Sequence, residues 1–65
     1  MTYSIGIDSG STATKGILLT GGVIERRFLC PTPFRPADAI REAWEVLAEG
    51  LETRPYLTLT GYGRQ

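Results

Sequence analysis

Apolar and polar residues alternate along the first half of the chain in a pattern that predicts three β-strands. The first strand is predicted over about residues 3–8, where large apolar residues alternate with small or polar ones. Two similar runs follow at about residues 14–20 and 23–30. Gly21 and Gly22 separate these runs, and both can take the positive φ that a tight hairpin turn requires. The pattern therefore predicts three antiparallel strands in succession.

Three prolines then interrupt the strand pattern, because proline removes a main-chain donor and holds the preceding residue extended. A helix is predicted over about residues 36–51, where apolar residues recur at helical spacing and glutamates occupy the opposite side. We expect this helix to end between Glu49 and Thr53, because Gly50 favours a C-terminal cap. A last strand is predicted over about residues 56–60.

The predicted order of elements is β-β-β-α-β, which is typical of an α/β fold with a mixed sheet. A right-handed crossover through the helix would place the last strand parallel to the first. The carboxyl ends of these two strands would then bring Asp8–Ser11 close to Thr60–Gly63. Because open α/β sheets bind ligands at such ends, we expect a ligand crevice between two glycine-rich loops.

Length and charge narrow the possible functions. Seven basic residues balance seven acidic ones among 65, which argues against a nucleic-acid partner. No apolar run reaches the ~20 residues that cross a bilayer, and no signal peptide is recognisable, so we expect a cytoplasmic protein without a membrane partner. A chain this short buries only about 60% of the surface exposed by its unfolded form, so we expect a fragment or a partner-dependent piece rather than a complete enzyme.

Cys30 is the only cysteine, and the chain contains no histidine. It can form no internal disulfide, and it lacks the partners of a soft-metal site. We therefore expect a half-buried apolar thiol near the end of a strand.

The segment after the first predicted strand carries several groups that bind phosphate. Gly10 permits close approach of the main chain, and successive N–H groups of such a turn can form an anion-binding nest. The hydroxyls of Ser11, Thr12 and Thr14 would donate further hydrogen bonds, and Lys15 would supply a cation. Together these groups are suited to a chain of phosphates.

Asp8 would lie at the end of the first predicted strand, where its carboxylate suits Mg²⁺ held largely through water.

Two other phosphate-binding motifs do not match this segment. A P-loop needs glycine before the lysine and serine or threonine after it, and the neighbours of Lys15 are different. The dinucleotide fingerprint needs glycines at another spacing from that of Gly6 and Gly10. A tight polar hairpin with a surface lysine remains as the structural alternative.

Ile5–Lys15 resembles the first phosphate motif of the ATPase superfamily that contains actin, heat-shock chaperones and sugar kinases. Members share a ribonuclease-H-like domain that begins β-β-β-α-β. In combination with Leu59–Arg64, the motif resembles the activators of 2-hydroxyacyl-CoA dehydratases, which are grouped with the ATPase subunits of benzoyl-CoA reductase. The resemblance implies that residues 1–65 are the N-terminal part of a longer actin-like ATPase domain.

The resemblance also implies an activity for the longer protein. It would be a homodimeric ATPase with one [4Fe-4S] cluster between its subunits, and ATP hydrolysis would drive a low-potential electron into the dehydratase. The cluster ligands would lie beyond Gln65, and Cys30 is not assigned as one. Carried over by position, Asp8 would be the catalytic residue and would organise Mg²⁺. The residues implied in ATP or ADP binding are Ser9, Gly10, Ser11, Thr12, Ala13, Thr14, Lys15, Gly61, Tyr62 and Gly63.

Two alternatives stay open. The chain could be the first part of a sugar or N-acetylhexosamine kinase of the same superfamily, which shares the first phosphate motif. It could also be a self-associating interaction module, because one helix covers only one face of a sheet and leaves an edge open. In each case we expect the isolated chain to lack ATPase activity, since it would carry only one of the phosphate clamps that phosphoryl transfer needs.

Overall fold

The computed structural model describes residues 2–32 and 34–61. The elements in chain order are β1 (Tyr3–Ser9), β2 (Ala13–Thr20), β3 (Val23–Pro31), α1 (Pro36–Ala48) and β4 (Tyr56–Gly61). One mixed sheet holds the four strands in the order β3-β2-β1-β4. This arrangement confirms the predicted α/β fold, and every predicted strand lies within an observed one.

The polarity of the sheet follows the predicted connections. β1 is antiparallel to β2 and parallel to β4, and β2 is antiparallel to β3. Gly21 and Gly22 form the turn between β2 and β3 with φ angles of 58° and 86°. These angles belong to the left-handed region, which glycine adopts without steric cost. The hairpin that the glycine pair predicts is therefore confirmed.

The hydrophobic core lies between α1 and one face of the sheet. Its fully buried members are Ile5, Ile7, Leu18, Ala43 and Leu47. Gly16 of β2 faces the same side, and a Cβ added there would lie 2.8 Å from Cδ1 of Leu47. Because glycine has no side chain, the leucine of α1 packs directly on the main chain of β2.

α1 begins at Pro36, as predicted, without a side-chain cap at its N-terminus. It ends at Ala48, so the prediction of an end between Glu49 and Thr53 is wrong. The chain leaves the helical path at Glu49, whose ψ is 128°, and Gly50 follows with a φ of 75°. In residues 2–32 and 34–61, no helix is long and apolar enough to cross a bilayer.

The carbonyl groups at the end of α1 are capped from the sheet. Nη1 of Arg26 in β3 donates to the main-chain oxygens of Glu49 at 2.7 Å, Leu47 at 3.1 Å and Val46 at 3.4 Å. The last turn of α1 contains no basic residue of its own. A cation at this position complements the negative end of the helix dipole and satisfies carbonyls that have no helical partner.

Candidate phosphate-binding crevice

A crevice lies on the face of the sheet opposite α1, towards the carboxyl ends of β1 and β4. Its volume is about 300 Å³. The residues that line it include Gly6, Asp8, Lys15, Ile17, Thr58 and Thr60. They come from three adjacent strands, so the topology of the sheet brings them together.

Strand register explains this grouping. Asp8 lies opposite Lys15 of β2 and opposite Thr60 of β4. Residues that lie opposite one another on adjacent strands point to the same face of a sheet. One carboxylate, one ammonium group and one hydroxyl therefore share the open face. Gly6, one step earlier on that face of β1, leaves the floor of the crevice without a side chain.

The Asp8 carboxylate is oriented by β4. The hydroxyl of Thr60 donates to Oδ1 of Asp8 at 3.1 Å, and both residues are exposed. Lys15, on the other side of Asp8, is exposed as well. The sequence placed Asp8 and Lys15 in one site, and the structure brings them together as cross-strand neighbours. An acidic and a basic group side by side can engage a metal ion and an anion at the same time.

The donor set fits magnesium better than a metal enclosed by protein ligands. Within residues 2–32 and 34–61, no group of three or more His, Cys, Asp or Glu side chains could hold a metal ion. A divalent ion here would therefore rely on Asp8, water and oxygens of a bound ligand. Mg²⁺ is usually held in this way, by one or two carboxylates together with phosphates and water.

The turn after β1 presents main-chain donors. The N–H of Gly10 donates to the carbonyl of Ala13 at 2.9 Å. Ser11 and Thr12 lie between them and are exposed. Their N–H groups make no main-chain hydrogen bond within the described part of the chain. Within the described residues these two amides are thus available to an anion, as an anion-binding nest requires. Neither residue lines the crevice itself, and Thr12 lines a second hollow together with Ala13 and residues 29–31.

The hydroxyls of Ser9 and Thr14 face the other side of the sheet. Both residues are fully buried, and their side-chain oxygens lie 3.3 Å apart. The Thr14 hydroxyl also lies 3.0 Å from that of Thr32. In this arrangement it is engaged within the protein and does not face the crevice. The predicted part of Ser9 and Thr14 in phosphate binding would have to come from the main chain.

Of the three predicted residues at the end of β4, one lies in the sheet and two lie outside the described residues. Gly61 ends β4 opposite Ser9, next to the crevice. Tyr62 and Gly63 lie outside the described residues. Their assignment, like that of the other predicted phosphate ligands, stays a prediction.

Cys30 is half-buried on the α1 side of the sheet, opposite Thr14 in the ladder between β2 and β3. Burial raises the pKa of the Cys30 thiol, and the nearby Glu42 carboxylate raises it further. A smaller fraction of such a thiol is thiolate near neutral pH, and the thiolate is the nucleophilic form.

Thr58 and Thr32 were missed by the sequence-based assignment, which placed Thr60 at the crevice without a role for its hydroxyl. Thr58 and Thr60 alternate with leucines along β4, and the parallel register with β1 puts both on the crevice face. The alternation of the strand could have identified them. Thr32 follows β3 in a proline-rich connector, where no local pattern marks a role for its hydroxyl.

No family model matches the chain. The chain is 83% identical over 65 residues to "Uncharacterized protein YjiL" of Escherichia coli (strain K12). The match covers 100% of this chain and 26% of the relative. The chain thus spans about a quarter of the length of the curated relative that it matches.

Two solved structures are similar to the fold. The (R)-2-hydroxyglutaryl-CoA dehydratase component A of Acidaminococcus fermentans has a TM-score of 0.72 and 37% identity, over 98% of this chain and 26% of that protein. The activator of the 2-hydroxyisocaproyl-CoA dehydratase from Clostridium difficile, solved with bound ADPNP, has a TM-score of 0.65 and 30% identity. It matches over 97% of this chain and 25% of its own length. Both matches confirm the resemblance to dehydratase activators.

Proposed function

We propose that this chain is the phosphate-binding part of an ATP-hydrolysing activator, which passes a low-potential electron to a 2-hydroxyacyl-CoA dehydratase. The observation that carries the proposal is the Asp8 carboxylate, held by Thr60 and flanked by Lys15 in the crevice. The likeness to a dehydratase component and to an activator with bound ADPNP supports it.

Each group in the crevice has a role in this proposal. Asp8 would hold Mg²⁺ through water, and the metal would neutralise charge on the β- and γ-phosphates. Lys15 would balance charge from the β2 side of the crevice. The amides of Ser11 and Thr12 would donate hydrogen bonds to phosphate oxygens. The two strands and the turn would thus surround the triphosphate on three sides.

The iron–sulfur chemistry of the proposed activator would reside elsewhere in the longer protein. Cys30 is the only cysteine of the chain, and it is half-buried beneath α1 with a raised thiol pKa. A [4Fe-4S] cluster is normally held by cysteine thiolates, so these residues do not provide its site. The cluster and the homodimer that would share it are proposals for the protein that contains this chain.

The kinase alternative shares the first phosphate motif but has less support. Both solved structures described above belong to dehydratase systems, and their acyl-CoA substrates differ. We therefore propose the class of dehydratase partner and no particular acyl group. ATP-dependent reduction of such a dehydratase by the complete protein tests this part, whereas sugar-dependent formation of ADP would favour the kinase.

The phosphate site itself can be tested on this chain by NMR. Addition of Mg·ADPNP to the isotope-labelled chain is expected to shift the amide resonances of Ser11 and Thr12 above all others. Asp8→Asn should reduce these shifts strongly, because the metal loses its carboxylate. Asp38→Asn, the same change on the exposed first turn of α1, is the matched control and should leave them intact. Equal shifts in Asp8→Asn and the unaltered chain would contradict the proposal.

A further inference from the structure

The two hairpin turns of the sheet are built differently. The turn between β2 and β3 uses Gly21 and Gly22, both at positive φ. The turn between β1 and β2 has Ser11 and Thr12 at its centre, and no residue other than glycine has a positive φ in the described ranges. Two-residue hairpin turns need positive φ to match the twist of the strands, and longer loops do not. Gly10–Ala13 lies between the paired residues Ser9 and Thr14, so it is a longer loop whose shape is not fixed by its own φ angles alone.

Thr32 supplies that support from the end of β3. Its N–H donates to the carbonyl of Thr12 at 2.9 Å, and its hydroxyl donates to the carbonyl of Gly10 at 2.7 Å. These two carbonyls belong to opposite sides of the turn. One residue thus holds both sides of the turn through main-chain oxygens.

The buried hydroxyls next to the turn form a directed chain. A threonine hydroxyl has one proton, and Thr32 gives its proton to Gly10. Across the 3.0 Å contact with Thr14, Thr32 is therefore the acceptor and Thr14 the donor. By the same argument, Thr14 accepts from Ser9 at 3.3 Å. Ser9 thus donates to Thr14, and Thr14 donates to the Thr32 hydroxyl, which in turn donates to the turn.

We infer that Thr32 is a positioning residue that holds the Gly10–Ala13 turn in the shape seen here, with the amides of Ser11 and Thr12 directed to a ligand. It would touch no phosphate itself. The inference rests on the proposed function only for what the turn binds, since the hydrogen bonds of Thr32 exist without a ligand. It therefore deepens the proposed function and can be tested apart from it.

The test compares three variants by amide hydrogen exchange without nucleotide. Thr32→Val removes the hydroxyl but keeps the shape and the N–H, and exchange at Gly10 should become about tenfold faster for the loss of hydrogen bonds. Thr32→Ser restores a hydroxyl and should restore the slow exchange. Thr20→Val is the matched control, because the buried Thr20 hydroxyl has no hydrogen-bond partner in the described residues. It should leave the turn unchanged.

A Gly10 exchange rate in Thr32→Val within twofold of that of the unaltered chain would overturn the inference. So would equal acceleration in the valine and serine variants. If Thr32→Val does not fold, hydrogen exchange of the unaltered chain provides the test: a protected Thr32 amide supports the contact with Thr12, and an unprotected one refutes it.

A second measurement is the binding of Mg·ADPNP by the unaltered chain. If the unaltered chain binds no nucleotide while the exchange results hold, the proposed function fails and the role of Thr32 stands.

Discussion

The hydroxyl of Thr60 and the carboxylate of Asp8 join two parallel strands that are separated in sequence by two other strands and a helix. Their contact of 3.1 Å depends on the register that places Asp8 opposite Thr60. An ionised carboxylate has two oxygens and about four acceptor positions, so one hydrogen bond fixes its orientation and leaves capacity for a metal or its waters. The relationship thus links the strand crossover to the chemistry of the crevice.

Thr60→Val should weaken the binding of Mg·ADPNP about two- to tenfold, the range expected from the loss of one orienting hydrogen bond. Stability should change little, because both partners are exposed. Isothermal titration and urea unfolding measure the two effects. Thr60→Ser should recover the affinity, and Thr53→Val in the exposed segment before β4 is the matched control. Affinity unchanged in Thr60→Val would show that Thr60 does not orient the carboxylate.

Gly16→Ala should destabilise the protein by about 1–3 kcal/mol, the usual cost of overpacking a core. The new Cβ would lie 2.8 Å from Cδ1 of the fully buried Leu47, which has little room to move. Gly6→Ala is the control on the other face of the sheet, where the new Cβ would meet Cγ1 of Ile17 at an ordinary 3.9 Å. Chemical unfolding of both variants should show a loss only for Gly16→Ala. Equal stabilities would contradict the close packing of α1 on β2.

Most of the fold could be predicted because it depends on local signals. Alternation defines β1, the glycine pair defines the hairpin, and the right-handed crossover places β4 beside β1. The end of α1 could not be predicted in the same way. It depends on the conformation of Gly50 and on capping by Arg26, which comes from another element. Such contacts arise only after the elements have packed.

The site was predictable to a similar extent. Asp8 and Lys15 follow from the motif, and the crevice follows from the topology. The burial of Ser9 and Thr14 could have been predicted from strand alternation, which puts every second residue of β1 and of β2 on the core side. The role of Thr32 was not available. It depends on whether main-chain pairing continues beyond Pro31, the last residue of β3, so that Thr32 bonds to Thr12.

Arg26→Met should lower the free energy of unfolding by about 1–2 kcal/mol, because α1 would lose charged hydrogen bonds to its final carbonyls. Methionine keeps much of the apolar stem of arginine, so the change isolates the guanidinium group. Arg27→Met on the opposite face of β3 is the matched control. Urea unfolding followed by circular dichroism measures both variants. Equal losses would argue against a capping role for Arg26.

Cys30 should react with iodoacetamide more slowly than a free cysteine at pH 7 to 8. Burial and then Glu42 raise the pKa of its thiol, so a smaller fraction is thiolate at a given pH below that pKa. Glu42→Gln removes the smaller of these two causes and should speed the reaction in part. Glu45→Gln, on an exposed part of α1, should leave the rate unchanged. A rate for the unaltered chain equal to that of a free cysteine would contradict a raised pKa.

The 65-residue chain should release no phosphate from Mg·ATP above a control without protein. Phosphoryl transfer needs a metal, an oriented water molecule and phosphate clamps that act together. The described residues offer the phosphates one carboxylate, one lysine and the amides of one turn, which is only one of the clamps that the reaction needs. Sensitive phosphate detection over hours, with Asp8→Ala in parallel, provides the measurement. Release by the unaltered chain that Asp8→Ala abolishes would mean that these residues suffice for catalysis.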